Sequence, residues 1–589
     1  MTFLKKIILL LFFVPIYVFS LNYDVKFVGL KDVETLNAIK RVSNLVILQK
    51  RAPKTINALR FRANSDKEQM LKILEFFGFY DAKINLDLEE KNDIIQVTIF
   101  ISPGPRYTLK EVNIFSDCSE KKELDVCDIS LKSLDLKINS PLITQDILNA
   151  QDKLIFLLSG CGYPLATVEK REVKIDLSHK NAIAEWCLDT GPFCKFGALK
   201  INGLTNIDRS FVDKKIRWNL GDTYDVTKVM ETQQNLLKTN LFTSVAIVHS
   251  DDINEMSELG INLKVVEALH KYITAGISYA TIDGFGVSFG WANRNFRSLG
   301  EMLAIDANVA QRLLLGVATY KKPDFLKVDQ DYVLRLEGTR EKIPSVYLDF
   351  NYSMISRIDT RFSKKIETSI GFKMEYDEIT QSANNGNFFL LSLPFYLKNS
   401  TANNLLNPTK GYTFIYRAVP YKNVINSAKY FFKQKLTYNL YIPIGSNRTL
   451  VLASRLQLGS VMGANVFDVP MSKLFLGGSD DDLRGYKYRT VSPLNSENEP
   501  IGGRSTIYYT FEPRFRMTQK IGFVPFLDLG VISLKEYPQV NQKWFKSVGA
   551  GLRYFSFFGP IRIDVGVPLD RRKGIDSRYK IYVNIGQTF

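Results

Sequence analysis

The stretch that decides the fold is residues 272–293, with the sequence YITAGISYATIDGFGVSFGWAN. Apolar side chains alternate with small or polar ones on both sides of Asp283-Gly284, a dipeptide typical of a tight β-hairpin. The same period of two recurs in Leu450–Leu458 and in Ile561–Val567. This alternation predicts strands with one apolar face and one small, polar or charged face.

Two architectures share this alternation, a soluble β-sandwich and a transmembrane antiparallel β-barrel. Sandwich strands have about five or six residues, whereas strands that span a membrane have about ten, with aromatic residues near their ends. The strands predicted from about Tyr272 onward fit the second description. Dividing the 320 residues 270–589 by sixteen strands gives 20 per strand and connection, so we expect sixteen strands, with fourteen or eighteen as alternatives.

The first twenty residues have the features of a secretory signal peptide. Lys5 and Lys6 precede an apolar run, residues 7–19, that is shorter than the roughly 20 residues of a membrane-spanning helix. We expect cleavage after Ser20, with an uncleaved anchor as the alternative. An exported chain of this composition is then either soluble or a β-barrel.

Residues 193–269 predict one small α+β domain of order β-α-α-β-β. Its second helix is expected to begin after Asp225, an N-cap residue, and to end at Asn240, which tolerates a left-handed conformation. The same order fits residues 21–104 and, more loosely, residues 105–192. We therefore expect three divergent copies of this domain before the β-rich part.

The formal net charge of +16 would ordinarily suggest a nucleic-acid partner. Residues 21–269, however, contain 33 basic and 35 acidic side chains, whereas residues 270–589 contain 42 and 26. The excess therefore belongs to the predicted strands and their loops. We expect these charges to line the barrel interior or to face an anionic membrane surface, and we expect no nucleic-acid partner.

The sequence offers little for catalysis or metal binding. It contains three histidines and no G-x-S-x-G, phosphate-binding loop or H-E-x-x-H motif. None of the five cysteines forms a C-x-x-C motif. We predict no catalytic residues, no cofactor and no metal site.

The cysteines are more simply explained by disulfide chemistry in an oxidising compartment. We expect Cys118 and Cys127 to pair and to close a short loop. If two of Cys161, Cys187 and Cys194 pair as well, one thiol is left over.

Several motifs resemble the BamA and TamA superfamily of outer-membrane assembly proteins. The most specific is Leu483-Arg484-Gly485-Tyr486, which is similar to the superfamily's Arg-Gly-Phe/Tyr loop. Further similarities lie in residues 509–515, 525–530 and 558–564, and residues 584–589, with Gly586 and Phe589, resemble a β-signal of outer-membrane proteins. These motifs occur in the order and spacing of the superfamily.

The resemblance implies periplasmic POTRA domains, which have the order β-α-α-β-β, before a sixteen-stranded outer-membrane barrel of a Gram-negative bacterium. The implied domains are a signal peptide (1–20), POTRA 1 (21–104), POTRA 2 (105–192), POTRA 3 (193–269) and the barrel (270–589). Three POTRA domains favour the TamA branch, because BamA-type chains are much longer and two-partner secretion transporters have two such domains.

The resemblance also implies a latch inside the barrel. Arg484, Gly485 and Tyr486 would lie at the tip of a long extracellular loop that folds back against the barrel wall. Arg484 would bind Glu512 and Asp528, because one planar guanidinium can bind two carboxylates at once. Without the resemblance, three unrelated surface charges would be the simpler interpretation.

The implied function is that of a translocation and assembly module subunit that helps to insert or secrete β-barrel clients such as autotransporters. A client strand would add to a weak seam between the first and the last strand, and POTRA edges would bind partners by β-augmentation. The implied partners are a TamB-like inner-membrane-anchored protein, unfolded outer-membrane proteins and outer-membrane lipid, with one barrel per chain. The alternatives are a transporter of polypeptide or phospholipid, another secretion pore of the superfamily, and, least favoured, an enzyme fused to a barrel.

Overall fold

The computed structural model describes residues 21–91, 94–117, 119–280, 284–425, 429–445, 449–557 and 559–589. The predicted signal peptide, Cys118 and Asp283 lie outside these ranges. Two compact units are present. The first contains the described residues up to Asn202 with 216–234 and 246–263, and the second contains 203–215, 235–245 and 264–589.

Helices and a three-stranded sheet make up the N-terminal domain. Its elements are β1 (Tyr23–Val28), α1 (Val33–Val42), α2 (Asn44–Ile47), α3 (Ile56–Phe76), β2 (Lys83–Lys91) and β3 (Ile94–Ser102). The sheet has the order β1-β3-β2, with β1 parallel to β3. Alternating residues of β3, among them Val97 and Ile99, are buried against Leu59 and Met70 of α3.

The third domain follows the predicted order. Its elements are β8 (Lys195–Asn202), α5 (Arg209–Asp213), α6 (Val226–Lys238), β9 (Phe242–Ile253) and β10 (Glu258–Glu267), in a sheet of order β8-β10-β9. Asp225 accepts a hydrogen bond of 2.8 Å from the backbone N–H of Thr227 at the start of α6. Asn240 has φ of 56°, so the chain leaves α6 in the left-handed conformation that was predicted.

The middle domain departs from the predicted order β-α-α-β-β. Its elements are β4 (Thr108–Asp117), β5 (Lys122–Glu123), α4 (Thr144–Gly160), β6 (Thr167–Asp176) and β7 (Asn181–Asp189), in a sheet of order β5-β4-β7-β6. Its described residues contain one helix where two were expected. Between β5 and α4, Ser130 and Ser133 bond to each other's backbone, and Asp135 and Asn139 have positive φ, so turns form in place of a helix.

The predicted Cys118–Cys127 disulfide is wrong. Cys127 is a free thiol, as are Cys161 and Cys194, whereas Cys187 takes part in a disulfide. The chain turns at Cys127 with φ of 62°, and Cys127 packs against the hydrophobic core of this domain. Burial and a hydrogen bond with the Cys161 thiol raise the pKa of Cys127 to about 12.

The second unit contains one large antiparallel sheet. Its strands are β11 (Lys271–Ala280), β12 (Gly284–Asn293), β13 (Met302–Ala310), β14 (Leu313–Lys322), β15 (Gln330–Ile343), β16 (Tyr347–Arg361), β17 (Ile366–Thr380), β18 (Gly386–Ser392), β19 (Phe395–Ser400), β20 (Gly411–Asn423), β21 (Tyr430–Ile444), β22 (Leu450–Met462), β23 (Ser505–Arg516), β24 (Ile521–Ser533), β25 (Phe545–Ser556), β26 (Gly559–Pro568) and β27 (Lys580–Ile585). They are hydrogen-bonded in chain order.

Within the described residues, the seventeen strands occupy sixteen positions in the sheet. Both β18 and β19 pair with β17 on one side and with β20 on the other, so they lie end to end. Leu393 and Pro394 separate them, and a proline has no N–H with which to continue the ladder. The number of positions therefore equals the sixteen expected from the sequence.

The two faces of the sheet differ as the alternation predicts. Ile273, Phe289 and Leu336 lie on a face that is apolar and exposed. Arg455 and Glu512 lie on the opposite face and are buried. We call these the apolar face and the polar face.

The outermost strands of the sheet are β11 and β27. Some of their Cα atoms lie within 8 Å of each other, but no ladder joins the two strands in the described part of the chain. We call the gap between them the seam. None of the helices in the described ranges is long and apolar enough to cross a membrane.

Candidate functional site

Residues 463–504 form the long loop between β22 and β23. The loop contains two short 3-10 helices, Val466–Asp468 and Met471–Lys473. Several of its apolar side chains share one buried cluster with residues from both halves of the sheet: Met471, Phe475, Leu483, Tyr486, Tyr347, Leu390, Phe431, Tyr508 and Ile532. The sheet therefore curves around the loop, and the loop fills the space beside the polar face.

Arg484 is the centre of an ionic cluster on the polar face. Its Nε and Nη2 atoms donate hydrogen bonds of 2.8 Å to the two oxygens of Asp528. Its Nη1 atom donates a hydrogen bond of 2.8 Å to Oε1 of Glu512. The guanidinium also lies over the ring of Phe526, 3.4 Å from its centroid. Arg484 is 1% exposed and both carboxylates are fully buried, so these charge-assisted bonds are shielded from water.

Gly485 brings the loop backbone against the backbone of β26. Its φ is 94°, and a Cβ atom on it would lie 3.0 Å from the carbonyl carbon and oxygen of Gly566. A Cβ atom on Gly566 would in turn lie 2.9 Å from the nitrogen of Gly485. The N–H of Gly485 donates a hydrogen bond of 2.9 Å to the hydroxyl of Tyr582 on β27. Both glycines are therefore required by close approach.

Tyr486 fixes the next residue of the loop to β25. Its hydroxyl donates a hydrogen bond of 2.7 Å to the carbonyl oxygen of Lys546. Its ring packs edge-on against Phe545, with centroids 5.7 Å apart, and the side chain is fully buried. The loop tip thus contacts β23, β24, β25, β26 and β27 through three consecutive residues.

The ionic cluster is larger than the sequence analysis proposed. Asp564 on β26 accepts a hydrogen bond of 3.3 Å from Nη1 of Arg484 and is also bonded to Arg553. Arg514 donates to Oε2 of Glu512 from Nε (3.0 Å) and Nη2 (2.8 Å). Asp564 alternates with Ile563 and Val565 in the sequence, so the period of two already indicated that it faces Arg484's side of the sheet.

Residues 586–589 leave the edge of the sheet and turn to the polar face. The ladder of β27 ends at Ile585, and Gly586 has φ of 93°. The hydroxyl of Thr588 donates a hydrogen bond of 2.9 Å to Oε1 of Glu512. The segment therefore shares a carboxylate with Arg484.

The ring of Phe589 lies between two arginines of the polar face. Its centroid is 4.4 Å from the guanidinium carbon of Arg455 and 4.8 Å from that of Arg514. Arg514 also donates a hydrogen bond of 3.0 Å to the carbonyl oxygen of Phe589. Gly586 and Phe589 were singled out in the sequence, but nothing local indicated that they turn away from the strand.

The loop has a second set of contacts on β15, β16 and β17. The ammonium of Lys473 lies 3.1 Å from Oε2 of Glu375 and 3.5 Å from Oδ1 of Asp377. Arg489 is bonded to Glu341 and to Tyr347. The sequence did not predict this set, because no motif links positions that lie between 96 and 148 residues apart.

Comparison with known proteins agrees with this architecture. Residues 295–589, half of the chain, match the model of the Omp85 superfamily domain. The chain is 24% identical over 537 residues to the outer membrane protein assembly factor BamA of Nitratidesulfovibrio vulgaris, which covers 87% of this chain and 66% of that protein. It is 18% identical over 556 residues to BamA of Neorickettsia risticii, with 87% and 71% covered. The chain thus spans just under two thirds of the first of these relatives.

A solved structure shares the fold. The crystal structure of BamA from Haemophilus ducreyi lacking POTRA domains 1–3 superposes with a TM-score of 0.68 at 16% identity, over 82% of this chain and 100% of that one.

Proposed function

Because the chain belongs to the Omp85 superfamily of outer-membrane proteins with periplasmic POTRA domains, we propose that it assembles other β-barrel proteins through the seam between β11 and β27. In this proposal the large sheet curls into a barrel of sixteen strand positions. Client strands add to its open edges during insertion or secretion.

The observation that carries the proposal is the pair of unpaired strand edges. No ladder joins β11 to β27 in the described part of the chain, although the two strands approach each other. Unpaired N–H and C=O groups are costly in lipid, where no water can satisfy them, and they are strong templates for another strand. An incoming client strand would satisfy these groups by β-augmentation.

A pore that passes polypeptide or phospholipid beside the polar face is the competing function. The loop 463–504 opposes it, because its apolar residues and those of the strands form one buried cluster. A polypeptide could pass only if this cluster were taken apart. The seam needs no such rearrangement, which favours assembly at the seam.

Within the superfamily we propose the TamA branch. Three small α+β domains precede the large sheet, and their sheets expose edge strands such as β2, β6 and β9. These edges would bind a TamB-like inner-membrane-anchored partner and unfolded clients by β-augmentation. Autotransporters are the clients that this assignment implies. Co-purification of the full chain with a long, β-rich, inner-membrane-anchored partner supports the TamA branch, and purification with periplasmic BamA-type lipoproteins instead contradicts it.

We propose that Arg484, Gly485 and Tyr486 act as the latch, with Glu512 and Asp528 as its partners. The contacts of these residues bind the loop to the strands next to the seam. A docked latch is bonded to strands from β23 to β27 and keeps them in one arrangement while the outer edge of β27 exchanges partners. In this proposal the latch stabilises the strands that it contacts, and client strands are added at the seam.

The test is to lock the seam. Cysteines are placed at Ile273, Ala275 or Ile277 of β11 and at Ile581 or Val583 of β27, in a chain whose free thiols are replaced by serine, and are joined by a reducible bismaleimide. A matched control joins Phe289→Cys to Ala307→Cys, which are partners in an existing ladder.

We expect the locked seam to abolish assembly of an autotransporter client in proteoliposomes, and reduction to restore it. The control crosslink should leave assembly intact. Full assembly with a locked seam would contradict the proposal and favour the pore.

A further inference from the structure

A groove with a volume of 720 Å³ lies on the apolar face of strands β13 to β18. The register of the strands puts Ala307, Gly316, Gly338, Tyr352 and Tyr376 side by side in one row across the sheet. Three small residues thus form a floor beside two aromatic rings. In the proposed barrel the apolar face meets the membrane, so the groove opens to lipid, and the inference rests on that part of the proposed function.

The groove exists because the two glycines lack side chains. A Cβ atom on Gly316 would meet no atom within 4 Å, and one on Gly338 would lie 3.6 Å from the ring of Tyr352. The adjoining row contains Ile305, Leu336 and Met354, all exposed and apolar. A flexible hydrocarbon can fill such a depression and gain dispersion contacts that a bare backbone does not provide.

Basic side chains stand at one end of the groove. Side chains two residues apart on a strand share a face, so Arg340 and Lys342 continue the line of Leu336 and Gly338 along β15. The guanidinium of Arg340 lies over the ring of Phe350, 5.8 Å from its centroid. Glu378 lies in the same cross-strand row as Arg340, with Phe350 between them.

We propose that this groove is a binding site for one acyl chain of an anionic membrane lipid, whose phosphate binds Arg340 and Lys342. The volume is within the usual range for small-molecule sites, about 300–1,000 Å³. Arginine is well suited to phosphate, because its planar donors match the oxygens of the anion. An apolar groove with a basic end therefore fits one anionic phospholipid of the membrane.

The test measures lipid binding by native mass spectrometry on the full chain in detergent. The probes are dioleoylphosphatidylglycerol, dioleoylphosphatidylcholine, rough lipopolysaccharide and inorganic phosphate. Gly316→Leu fills the floor without a steric conflict, and Ala550→Leu adds the same side chain to the apolar face of β25, outside the groove. Arg340→Ala with Lys342→Ala removes the basic end, and Arg516→Ala with Lys520→Ala, which also removes two positive charges, is its charge-matched control.

We expect one phosphatidylglycerol to bind the wild type about ten-fold more tightly than phosphatidylcholine, because both carry a phosphate but the choline cation of phosphatidylcholine is repelled by Arg340 and Lys342. Gly316→Leu should weaken the binding of both lipids. The double alanine variant should remove only the preference for the anionic lipid. Inorganic phosphate should not compete with phosphatidylglycerol for the site. Tighter binding of lipopolysaccharide than of phosphatidylglycerol would contradict a phospholipid occupant.

The proposal would be overturned if the wild type and Gly316→Leu bound phosphatidylglycerol equally well. It would also be overturned if Ala550→Leu lost as much lipid binding as Gly316→Leu. Heat-modifiable mobility on gels verifies that each variant keeps its folded sheet.

Discussion

Replacing Arg484 by alanine is expected to release the tip of the 463–504 loop while the sheet stays folded. The three carboxylates around Arg484 are not equally dependent on it. Glu512 keeps Arg514 and Thr588, and Asp564 keeps Arg553. Among the described residues, Asp528 keeps only a 3.4 Å hydrogen bond from Ser547 besides the loop backbone. Asp528 is therefore the buried charge that the substitution leaves without compensation.

The size of the effect follows from that asymmetry. Removing one partner of a buried ion pair costs about 3–5 kcal/mol. At about 1.4 kcal/mol per factor of ten, the ratio of docked to undocked loop should fall by about two to three and a half orders of magnitude. Adding Asp528→Asn should recover part of this loss, because it neutralises the uncompensated charge, whereas Glu512→Gln should recover little.

Hydrogen exchange of residues 476–490 in lipid nanodiscs measures the docked fraction. Arg516→Ala serves as the control, because Arg516 lies on the same strand as Glu512 but contacts Phe555 and Gln519 instead. Strictly additive effects of Arg484→Ala and Asp528→Asn would refute the coupling. Recovery by Glu512→Gln alone would show that the wrong carboxylate had been identified.

Three further substitutions probe the same architecture. Gly485→Ala places a Cβ atom 3.0 Å from the Gly566 backbone at a φ of 94°, so exchange at 476–490 should rise about as much as in Arg484→Ala. Lys473→Met removes the ammonium between Glu375 and Asp377 and should expose residues 466–474 to protease, read by mass spectrometry, while exchange at 476–490 stays low. Partial burial acts to raise the pKa of Glu267, but hydrogen bonds from the N–H groups of Thr205 and Asn206 outweigh it and lower the pKa to about 2 from its usual 4.5. The stabilisation is therefore complete above about pH 4.5 and is lost as the pH falls toward 2. The protection factors of amides 205–206, which correct for the slower intrinsic exchange in acid, should therefore fall over that interval and be low at neutral pH in Glu267→Gln.

The sequence predicted the features that depend on local pattern. A strand has a period of two whatever its neighbours are, so the apolar row of Leu450–Leu458 identified the exposed face before any register was known. Asp225 and Asn240 bound a helix through their own backbone preferences, and the structure places them at its two ends. The contacts of Arg484 with Glu512 and Asp528 came instead from the resemblance of its loop to the superfamily motif, because the local pattern alone favoured unrelated surface charges.

The features that the sequence did not predict depend on register and on distant partners. Asp564 joins the cluster because Gly485 and Gly566 allow the loop and β26 to touch, and no local pattern encodes that contact. Cys127 could not be assigned from spacing alone, since the packing of the 124–129 turn against the core of its domain sets its neighbours. The expected helix between β5 and α4 is replaced by turns, because Leu134 and Leu136 are buried in the domain core and fix this segment in an irregular conformation.

The two edges of the seam are unequal, and the reason lies in the ionic cluster. β11 extends over ten residues, Lys271–Ala280, whereas β27 extends over six, Lys580–Ile585. β27 is short because residues 586–589 turn to the polar face, where Arg514 binds both the carbonyl oxygen of Phe589 and the carboxylate of Glu512.

A client strand at the proposed seam would therefore find a longer template on β11 than on β27. Since Glu512 also binds Arg484, the contact that docks the loop and the contact that shortens β27 use the same carboxylate. Displacing the loop removes one of the cations that hold this carboxylate in place. The docking of the loop and the length of β27 are therefore coupled through the carboxylate of Glu512.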